Sequence, residues 1–446
     1  MHTLKVTLKQ HTPLIHFQHD QDGATLRASE VKPKLDRYIL TQLGNGKYQD
    51  GVKQAKANDW LVGKGEHPAL DYKMRIEAEG RKEYMIGSLI GSNTPNNKPR
   101  TLVILKSTPY FAQEQENRDI VKTYKVGEEK KSDFHEDKWR IVPKKGLMWQ
   151  NIRITILSVD TLNEVIKSHI SDFFLCTNFG TRSNKGFGSF TVDLIDGCAP
   201  ICYDENRIMA GFKTHFEFCY KKNKSVHDLP SVFDSIKSDY QRLKSGVNFN
   251  YYKKSLLFCY AVNKMEGAPR WEKRHFKQEM KSKLKDEGCF LKAKKNREGY
   301  FNAPIMNCKG DQNWKDIPNK YRYNYIRALL GLAEQFEFQL DGKYEKAVVK
   351  IGSEEIERFA SPLFFKVIDN AIYMLGNNSP VILGKKFNFN YKIVKKDKES
   401  KETIEKKLPI EDDTLKTPDD FSVVDFIRYA VNEADTDIRL DYKKIF

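Results

Sequence analysis

NIRITILSVDTLNEVIKSHISDFFLCTNFGTRSNKGFGSFTVDL, residues 151–194, is the stretch that decides the fold of the first half of the chain. Its first nine residues alternate polar and apolar side chains, which predicts a strand. Apolar residues then recur at helical spacing over Thr161–Phe174, which predicts an amphipathic helix. A loop with three glycines spans residues 178–188, and Ser189–Leu194 predicts the next strand.

The N-terminal residues supply the elements that come before this stretch. Thr3–Lys9 alternates with period two and predicts the first strand. A helix is predicted within residues 24–40, with Ser29 as its N-cap and Pro33 in its first turn. Further strands are predicted at Ala69–Ala78 and Thr101–Leu105, and loops at residues 41–68 and 113–145.

This order of elements predicts an α+β fold class. Strand, helix, strands, helix, glycine-rich loop and strand form a ferredoxin-like βαββαβ unit with insertions. The predicted first domain covers residues 1–196, with its glycine-rich loop at 179–189. Because Gly211–Tyr220 alternates like another first strand, residues 197–446 are predicted to form a second ferredoxin-like (RRM-like) domain. That domain carries a helical insertion at about residues 225–332 and a mobile loop at 395–413.

The composition is that of a basic globular protein. Of its 446 residues, 76 are Lys or Arg and 60 are Asp or Glu, which leaves 76 − 60 = +16. With 39% hydrophobic residues, collagen, coiled coil and wholesale disorder are excluded. The charge, together with 12% aromatic residues, favours a nucleic-acid partner, because cations release phosphate counterions and aromatic faces stack on bases. A solvated lysine-rich surface is the alternative.

Location and cofactors are also constrained. No apolar run approaches the roughly 18 residues needed to cross a bilayer, and the N-terminus has no leader pattern. We therefore expect a cytoplasmic protein without membrane contact. Seven dispersed cysteines suggest a reducing compartment. Cys198 and Cys202 have no second metal-ligand pair at zinc spacing, so both are interpreted as buried small residues, and no metal or cofactor is predicted.

The glycine-rich loop Phe179–Ser189 has the chemistry of an anion site. Its glycines allow positive φ and close approach of the backbone, and its N–H groups suit phosphates. Arg182 and Lys185 add positive charge there. The spacing is not the GxGxxG dinucleotide fingerprint and the loop leads into a strand rather than a helix. A tight turn that uses glycine for its geometry alone remains the alternative.

A loop of glycine, basic and Gly-Phe-Gly residues before the last strand resembles the signature loop of the RAMP superfamily of CRISPR proteins. Leu8–Ile15 with Leu26–Leu35 resembles the first strand and following helix of the first subunit of type III-B (Cmr) effector complexes. Arg358–Lys366 is similar to the Ser-Pro-Leu segment of that subunit. The resemblance implies a non-catalytic RNA-binding subunit for antiviral defence. It would hold the 3′ part of the guide RNA (crRNA), target RNA or both, alongside other RAMP subunits.

The resemblance also implies a set of RNA-binding residues. They are Arg27, Lys32, Lys34 and Arg37 from the first helix, and Arg182, Lys185, Gly186 and Gly188 from the loop. Because the four helix cations cannot share one face of the helix, Arg37 is expected to be the most exposed to solvent. Independently, Arg270–Lys277 interleaves aromatic and cationic residues as single-strand stacking surfaces do. Arg270, Lys273 and Arg274 are therefore candidates, unless Trp271 and Phe276 are buried under a solvated basic helix.

Two other functional classes stay open at this level. Some RAMP proteins are metal-independent endoribonucleases, so a repeat-processing enzyme that uses His16, His19 or His169 is the alternative function. A stand-alone scaffold whose charge serves solubility is the third. Because the pattern does not place a general acid and base on one phosphodiester, no catalytic residue is predicted.

Overall fold

The computed structural model describes residues 2–16, 25–63, 68–86, 89–91, 99–100, 139–141, 144–224, 226–248, 252–265, 270–292, 323–333, 335–396, 403–434 and 436–446. Over these residues it has eight α-helices and 24 β-strands, which confirms the α+β class. The chain divides into two compact units. The first comprises residues 1–237, 364–375 and 443–446, and the second comprises 238–363 and 376–442. The boundary predicted after residue 196 stays a prediction, because these packing units are not continuous in sequence.

The helices of the described residues run from nine to 17 residues in length. They are α1 Ala28–Leu43, α2 Tyr48–Ala57, α3 Asp160–Cys176, α4 Glu205–Lys213, α5 Leu229–Lys244, α6 Leu256–Lys264, α7 Glu272–Asp286 and α8 Val423–Asn432. A short 3₁₀ helix, Ile326–Leu330, lies near the end of the predicted helical insertion at about 225–332.

The strands are numbered in chain order. The first twelve are β1 His2–Gln10, β2 Leu14–Ile15, β3 Leu61–Val62, β4 Ala69–Leu70, β5 Lys73–Ile86, β6 Leu89–Gly91, β7 Pro99–Arg100, β8 Trp139–Ile141, β9 Lys144–Ser158, β10 Phe190–Ile195, β11 Phe218–Asn223 and β12 Val247–Asn248. The others are β13 Tyr252–Lys253, β14 Arg270–Trp271, β15 Cys289–Leu291, β16 Tyr323–Asn324, β17 Gln335–Gly342, β18 Lys346–Gly352, β19 Leu363–Ile368, β20 Ala371–Gly376, β21 Lys386–Lys396, β22 Thr403–Lys407, β23 Thr414–Lys416 and β24 Lys443–Lys444.

The first unit is built on an antiparallel sheet in the order β10-β1-β9-β5, with β2 also paired to β9. Leu4 and Val6 of β1 are paired with Ile156 and Ile154 of β9, and all four are buried. Because side chains alternate across a strand, this register directs one apolar face toward α1 and α3. The strand predicted from the period-two pattern of β1 is therefore confirmed, and its apolar face lies in the core.

The first unit also contains a four-stranded sheet in the order β19-β20-β11-β24. Strand β20 is buried along its whole length, and Leu375 and Cys219 share a core cluster with Phe212 of α4. Strand β19 brings residues 363–368 into this sheet from late in the chain.

The second unit is organised by an eight-stranded sheet in the order β14-β16-β23-β21-β18-β17-β15, with β22 paired to β21. Helix α7 packs on it through Phe276, whose ring lies 4.7 Å from Phe389 and 5.1 Å from Phe336. Residues 403–407, within the predicted mobile loop, form β22 because they pair antiparallel with β21.

Three local predictions were wrong. Helix α1 has Arg27 rather than Ser29 as N-cap, and Pro33 lies inside it. Helix α2 occupies part of the predicted loop at 41–68, and its fully buried residues are the small Gly51 and Ala55. A Cβ at Gly51 would lie 1.7 Å from the Leu40 carbonyl oxygen. Gly211 belongs to α4, which begins where Asp204 accepts the Arg207 N–H at 2.7 Å.

Cysteine placement differs from the prediction in one respect. Cys198 and Cys202 are exposed rather than buried, because the segment from 196 to 204 is an exposed connection between β10 and α4. Cys259 is disulfide-bonded, and the reducing compartment stays a prediction.

Among the described residues, none of the helices combines the length and apolar character required to cross a bilayer. The strand predicted at 101–105 lies outside the described residues.

Candidate nucleic-acid interface

The glycine-rich loop connects α3 to β10 and has a half-buried tip on a buried base. Residues 180–184 form the tip, and residues 185–189 are buried. An isolated bridge between Asn178 and Ser189 closes the base. Gly188 has φ +62° and a Cβ there would lie 2.0 Å from the Phe179 carbonyl oxygen. Only glycine fits this position without displacing the backbone.

Seven N–H groups of the loop already donate within the protein. The N–H of Gly180 donates to Glu30 Oε1 at 2.8 Å, and that of Ser189 donates to Thr12 Oγ1 at 2.9 Å. The remaining five donate to backbone oxygens, namely Phe179 to Gly188, Thr181 to Ile15, Lys185 to Arg182, Gly186 to Ser183 and Gly188 to Pro13. The predicted phosphate cradle of free N–H groups is therefore wrong for these seven. What the tip offers to an anion is its side-chain charge.

Lys366 fixes both ends of the loop, and the sequence alone did not assign it a role. Its side chain is fully buried. Its Nζ donates to the carbonyl oxygens of Phe174, Thr177 and Phe190 at 2.7, 2.9 and 2.9 Å. Burial lowers the pKa of Lys366 to about 7. The last turn of α3 carries partial negative charge, so the acceptors around Nζ favour the ammonium form.

Arg182 and Lys185, the predicted loop cations, have different environments. Arg182 is at the half-buried tip with φ +60°, a conformation that residues other than glycine rarely adopt. Lys185 is only 8% exposed, and its Nζ lies 6.0 Å from the centre of the Phe365 ring. Because Lys185 is buried, replacing both residues together would mix a binding effect with a folding effect. Arg182 is the better probe.

Two of the predicted cations on α1 are held in local contacts. Lys32 Nζ donates to Asp36 Oδ2 and to the Leu70 carbonyl, both at 2.8 Å. Lys34 Nζ donates to Glu30 Oε1 at 3.0 Å and lies 4.8 Å from the centre of the Phe179 ring. Since Glu30 also accepts the Gly180 N–H, Lys34 is the helix cation that the fold connects to the loop tip.

The other two helix cations differ in exposure. Arg27 is half-buried at the N-cap of α1, whereas Arg37 is exposed, as expected. Gly186 is buried, and a Cβ there would lie 2.9 Å from Ile236 Cδ1. The RNA-binding role of all eight residues of α1 and the loop stays a prediction. All eight lie in the first unit.

The second candidate region, Arg270–Lys277, lies in the second unit. Phe276 is fully buried, so it cannot stack on a base, which matches the alternative of a basic helix over buried aromatics. Lys273 Nζ lies 5.9 Å from the centre of the Phe336 ring, and Arg274 is exposed. The side chains of Arg270 and Trp271 lie outside the described residues.

Of the histidines considered for acid–base chemistry, the structure describes His16 and His169. His16 is 1% exposed, His19 lies outside the described residues, and His169 is half-buried on α3 beside Tyr38. Burial lowers the pKa of His169. The part of the chain that the structure describes contains no group of three or more His, Cys, Asp or Glu residues that could hold a metal ion.

Comparison with known proteins gives family and structural matches. A family model described as the Cmr1 N-terminal domain matches residues 1–247, and one described as the Cmr1 C-terminal domain matches residues 252–446. The crystal structure of Cmr1 from Pyrococcus furiosus in its apo form is similar at 9% identity and a TM-score of 0.34. That match covers 85% of this chain and 89% of that chain.

Two cryo-EM structures are also similar. Type III-B Cmr-beta bound to cognate target RNA matches at 12% identity and a TM-score of 0.24, over 44% of this chain and 59% of that chain. Cmr-beta bound to cognate target RNA and AMPPnP, in state 2 and in the presence of ssDNA, matches at 10% identity and a TM-score of 0.26. It covers 84% of this chain and 94% of that chain. No curated protein matches the chain.

Proposed function

The chain belongs to the Cmr1 family, and from this premise we propose that it is a non-catalytic RNA-binding subunit of a type III-B CRISPR effector complex. The resemblance drawn from the sequence is thereby confirmed at the level of the family. In the proposed function the protein holds the 3′ part of the guide RNA, target RNA or both. Its partners are other RAMP subunits, and its role is antiviral defence.

The strand orders of both sheets in the first unit support the proposed ferredoxin-like architecture. If β1, β5, β9 and β10 are the first to fourth strands of a βαββαβ unit, the sheet order β10-β1-β9-β5 is 4-1-3-2, which is the ferredoxin-like order. Strands β11, β19, β20 and β24 follow the same order, with α5 after the first of them and α8 before the last. We therefore propose that the second βαββαβ unit begins at β11 and that the eight-stranded sheet is built from its insertions.

The observation that carries the proposed function is the construction of the glycine-rich loop. The loop has a half-buried tip, where Arg182 has a left-handed backbone conformation, and a buried base. Lys366 Nζ donates hydrogen bonds to carbonyl oxygens on both sides of the base, those of Thr177 and Phe190. A rigid base keeps Arg182 in place, which reduces the ordering entropy lost when it meets a phosphate. The +16 charge of the whole chain adds long-range attraction for a polyanion.

The burial of His16 supports the non-catalytic part of the proposal. A general acid or base has to reach the reacting oxygen within hydrogen-bond distance, and a side chain that is 1% exposed does not reach a bound RNA strand without rearrangement. Repeat processing by His16, His19 or His169 therefore remains the less favoured function.

The test compares two single-charge variants of the full chain. Arg182→Gly removes the tip cation and accepts the same positive φ, whereas Lys53→Gln removes one exposed charge from α2, where Lys53 is 78% exposed. We expect the slope of log K against log salt for single-stranded RNA to fall by about 0.7 in Arg182→Gly only. A wild-type titration that does not change with salt would instead support the scaffold alternative.

A further inference from the structure

Helix α7 carries a continuous row of exposed cations that extends well beyond the predicted segment. Arg274, Lys277, Lys281 and Lys285 are all exposed and follow one another at spacings of three, four and four residues. At about 100° per residue, they occupy an arc of about 80° that contains no other side chain of the helix. The row, called here the α7 stripe, is about 16 Å long at 1.5 Å per residue.

The acidic residues of α7 lie outside the arc of the stripe. Phe276, Met280 and Leu284 are buried on one side. Glu272, Glu279 and Asp286 lie on the flank opposite the stripe, where Glu279 is 3.8 Å from His275 Nδ1. No carboxylate of the helix therefore lies within the row of four cations.

This arrangement is unfavourable for the helix itself. Cations three or four residues apart on one face repel each other, whereas a Glu at such a position would stabilise the helix. Within the described parts of the chain, no ion pair involves Lys281 or Lys285. An external anion would relieve this repulsion.

We propose that the α7 stripe binds the sugar-phosphate backbone of single-stranded RNA. The Cβ atoms of neighbouring stripe residues are about 5–6 Å apart, the same order as the distance between successive phosphates of a nucleic-acid strand. The stripe contains no apolar residue, whereas protein interfaces have an apolar core, so RNA is favoured over an acidic protein. The inference rests on the proposed function and deepens it by adding a second contact on the second unit.

The mode of recognition differs from the base stacking that the sequence suggests for this region. Phe276 is fully buried and packs against Phe336, Phe389 and Tyr391, so the stripe offers charge without an aromatic platform. Contacts to phosphate carry no sequence information. The α7 stripe is therefore expected to bind RNA of any sequence with strong salt dependence.

The test uses two double variants of the full chain that remove the same net charge. Lys281→Gln with Lys285→Gln changes the stripe, and Lys53→Gln with Lys56→Gln changes exposed residues of α2. For a mixed-sequence single-stranded RNA, we expect the stripe variant to lower the salt slope by about 1.4, twice the single-strand value per phosphate. The control slope should stay within error of wild type, and circular dichroism should show unchanged helix content in both.

The other possible results of the RNA titrations distinguish failure of the stripe proposal from failure of the proposed function. If wild type binds RNA and the two double variants behave alike, the stripe proposal is overturned while the proposed function stands. If wild type does not bind RNA, the proposed function fails and the stripe proposal with it. Polyglutamate serves as a probe for an acidic protein. A stripe variant that loses polyglutamate binding but keeps its RNA affinity would overturn RNA as the occupant.

Discussion

Lys366 and Asn178 are joined by reciprocal contacts that fasten the glycine-rich loop to strand β19. Lys366 Nζ donates to Asn178 Oδ1 at 3.1 Å, and Asn178 Nδ2 donates to the carbonyl oxygen of Phe365, the preceding residue, at 2.9 Å. Asn178 Nδ2 also donates to the Ser183 carbonyl in the loop tip at 2.8 Å. A segment that lies 188 residues later in the chain thus determines where the loop begins.

Replacing Lys366 with methionine should destabilise the protein strongly. The variant keeps a long apolar side chain but leaves buried carbonyl groups of Phe174, Thr177 and Phe190 without their donor. Each unsatisfied buried group costs about 1–3 kcal/mol, so three such groups lead us to expect a loss of about 3 kcal/mol or more in the free energy of unfolding measured with urea. Lys53→Met on the surface is the control and should stay within about 0.5 kcal/mol. Equal stability of the two variants would refute the anchoring role of Lys366.

Alanine substitutions at three glycines with similar positive φ should distinguish the cost of backbone strain from the cost of a steric clash. Gly197 has φ +73°, and a Cβ added there would meet no atom within 4 Å, so Gly197→Ala should cost only about 1 kcal/mol for its backbone conformation. Gly186→Ala adds a close contact with Ile236 and should cost more. Gly188→Ala places Cβ 2.0 Å from a backbone oxygen and should cost the most. Thermal unfolding of the three variants gives the order, and a Gly197→Ala variant as unstable as Gly188→Ala would contradict it.

His11 should make stability depend on pH in the mildly acidic range. The Asp369 N–H donates to its Nδ1 at 3.2 Å, and its Nε2 lies 2.8 Å from Thr191 Oγ1. Burial lowers the pKa of His11, and the nearby positive charges of Lys366 and Lys9 lower it slightly further. The Asp369 carboxylate raises this pKa, but its effect is smaller than that of burial. The unfolded state, with a histidine pKa near 6.5, therefore binds protons first, and stability falls as the pH drops below that value.

The matching measurement is the free energy of unfolding of wild type and His11→Asn between pH 7.5 and about 5, a range set by the unfolded histidine pKa. His169 and His215 also have pKa values lowered by burial, and both remain in the variant. The wild type should lose more stability than His11→Asn over this range. Parallel curves for the two proteins would show that His11 does not contribute.

The sequence predicted those parts of the fold whose signal is local. Period-two alternation identified β1, and helical spacing identified α3, because each buries one continuous apolar face. Helix α2 was missed because its contact with α1 is made through Gly51, which carries no hydrophobic signal. The anchor of the candidate site was missed because Lys366 and the loop meet only through the tertiary fold, and a lysine is rarely buried.

The chain alone should not cleave RNA. Catalysis by one positioned general acid or base contributes about 10²–10⁴-fold, so a real ribonuclease should lose that factor when its base is removed. The test incubates guide-repeat and target RNAs with wild type, His16→Ala and His19→Ala, with and without magnesium, and we expect no cleavage by any of them. Because His16 is buried, His16→Gln is added as a variant that preserves side-chain volume. Cleavage by wild type that disappears in the His19→Ala or His16→Gln variant would establish the repeat-processing enzyme instead.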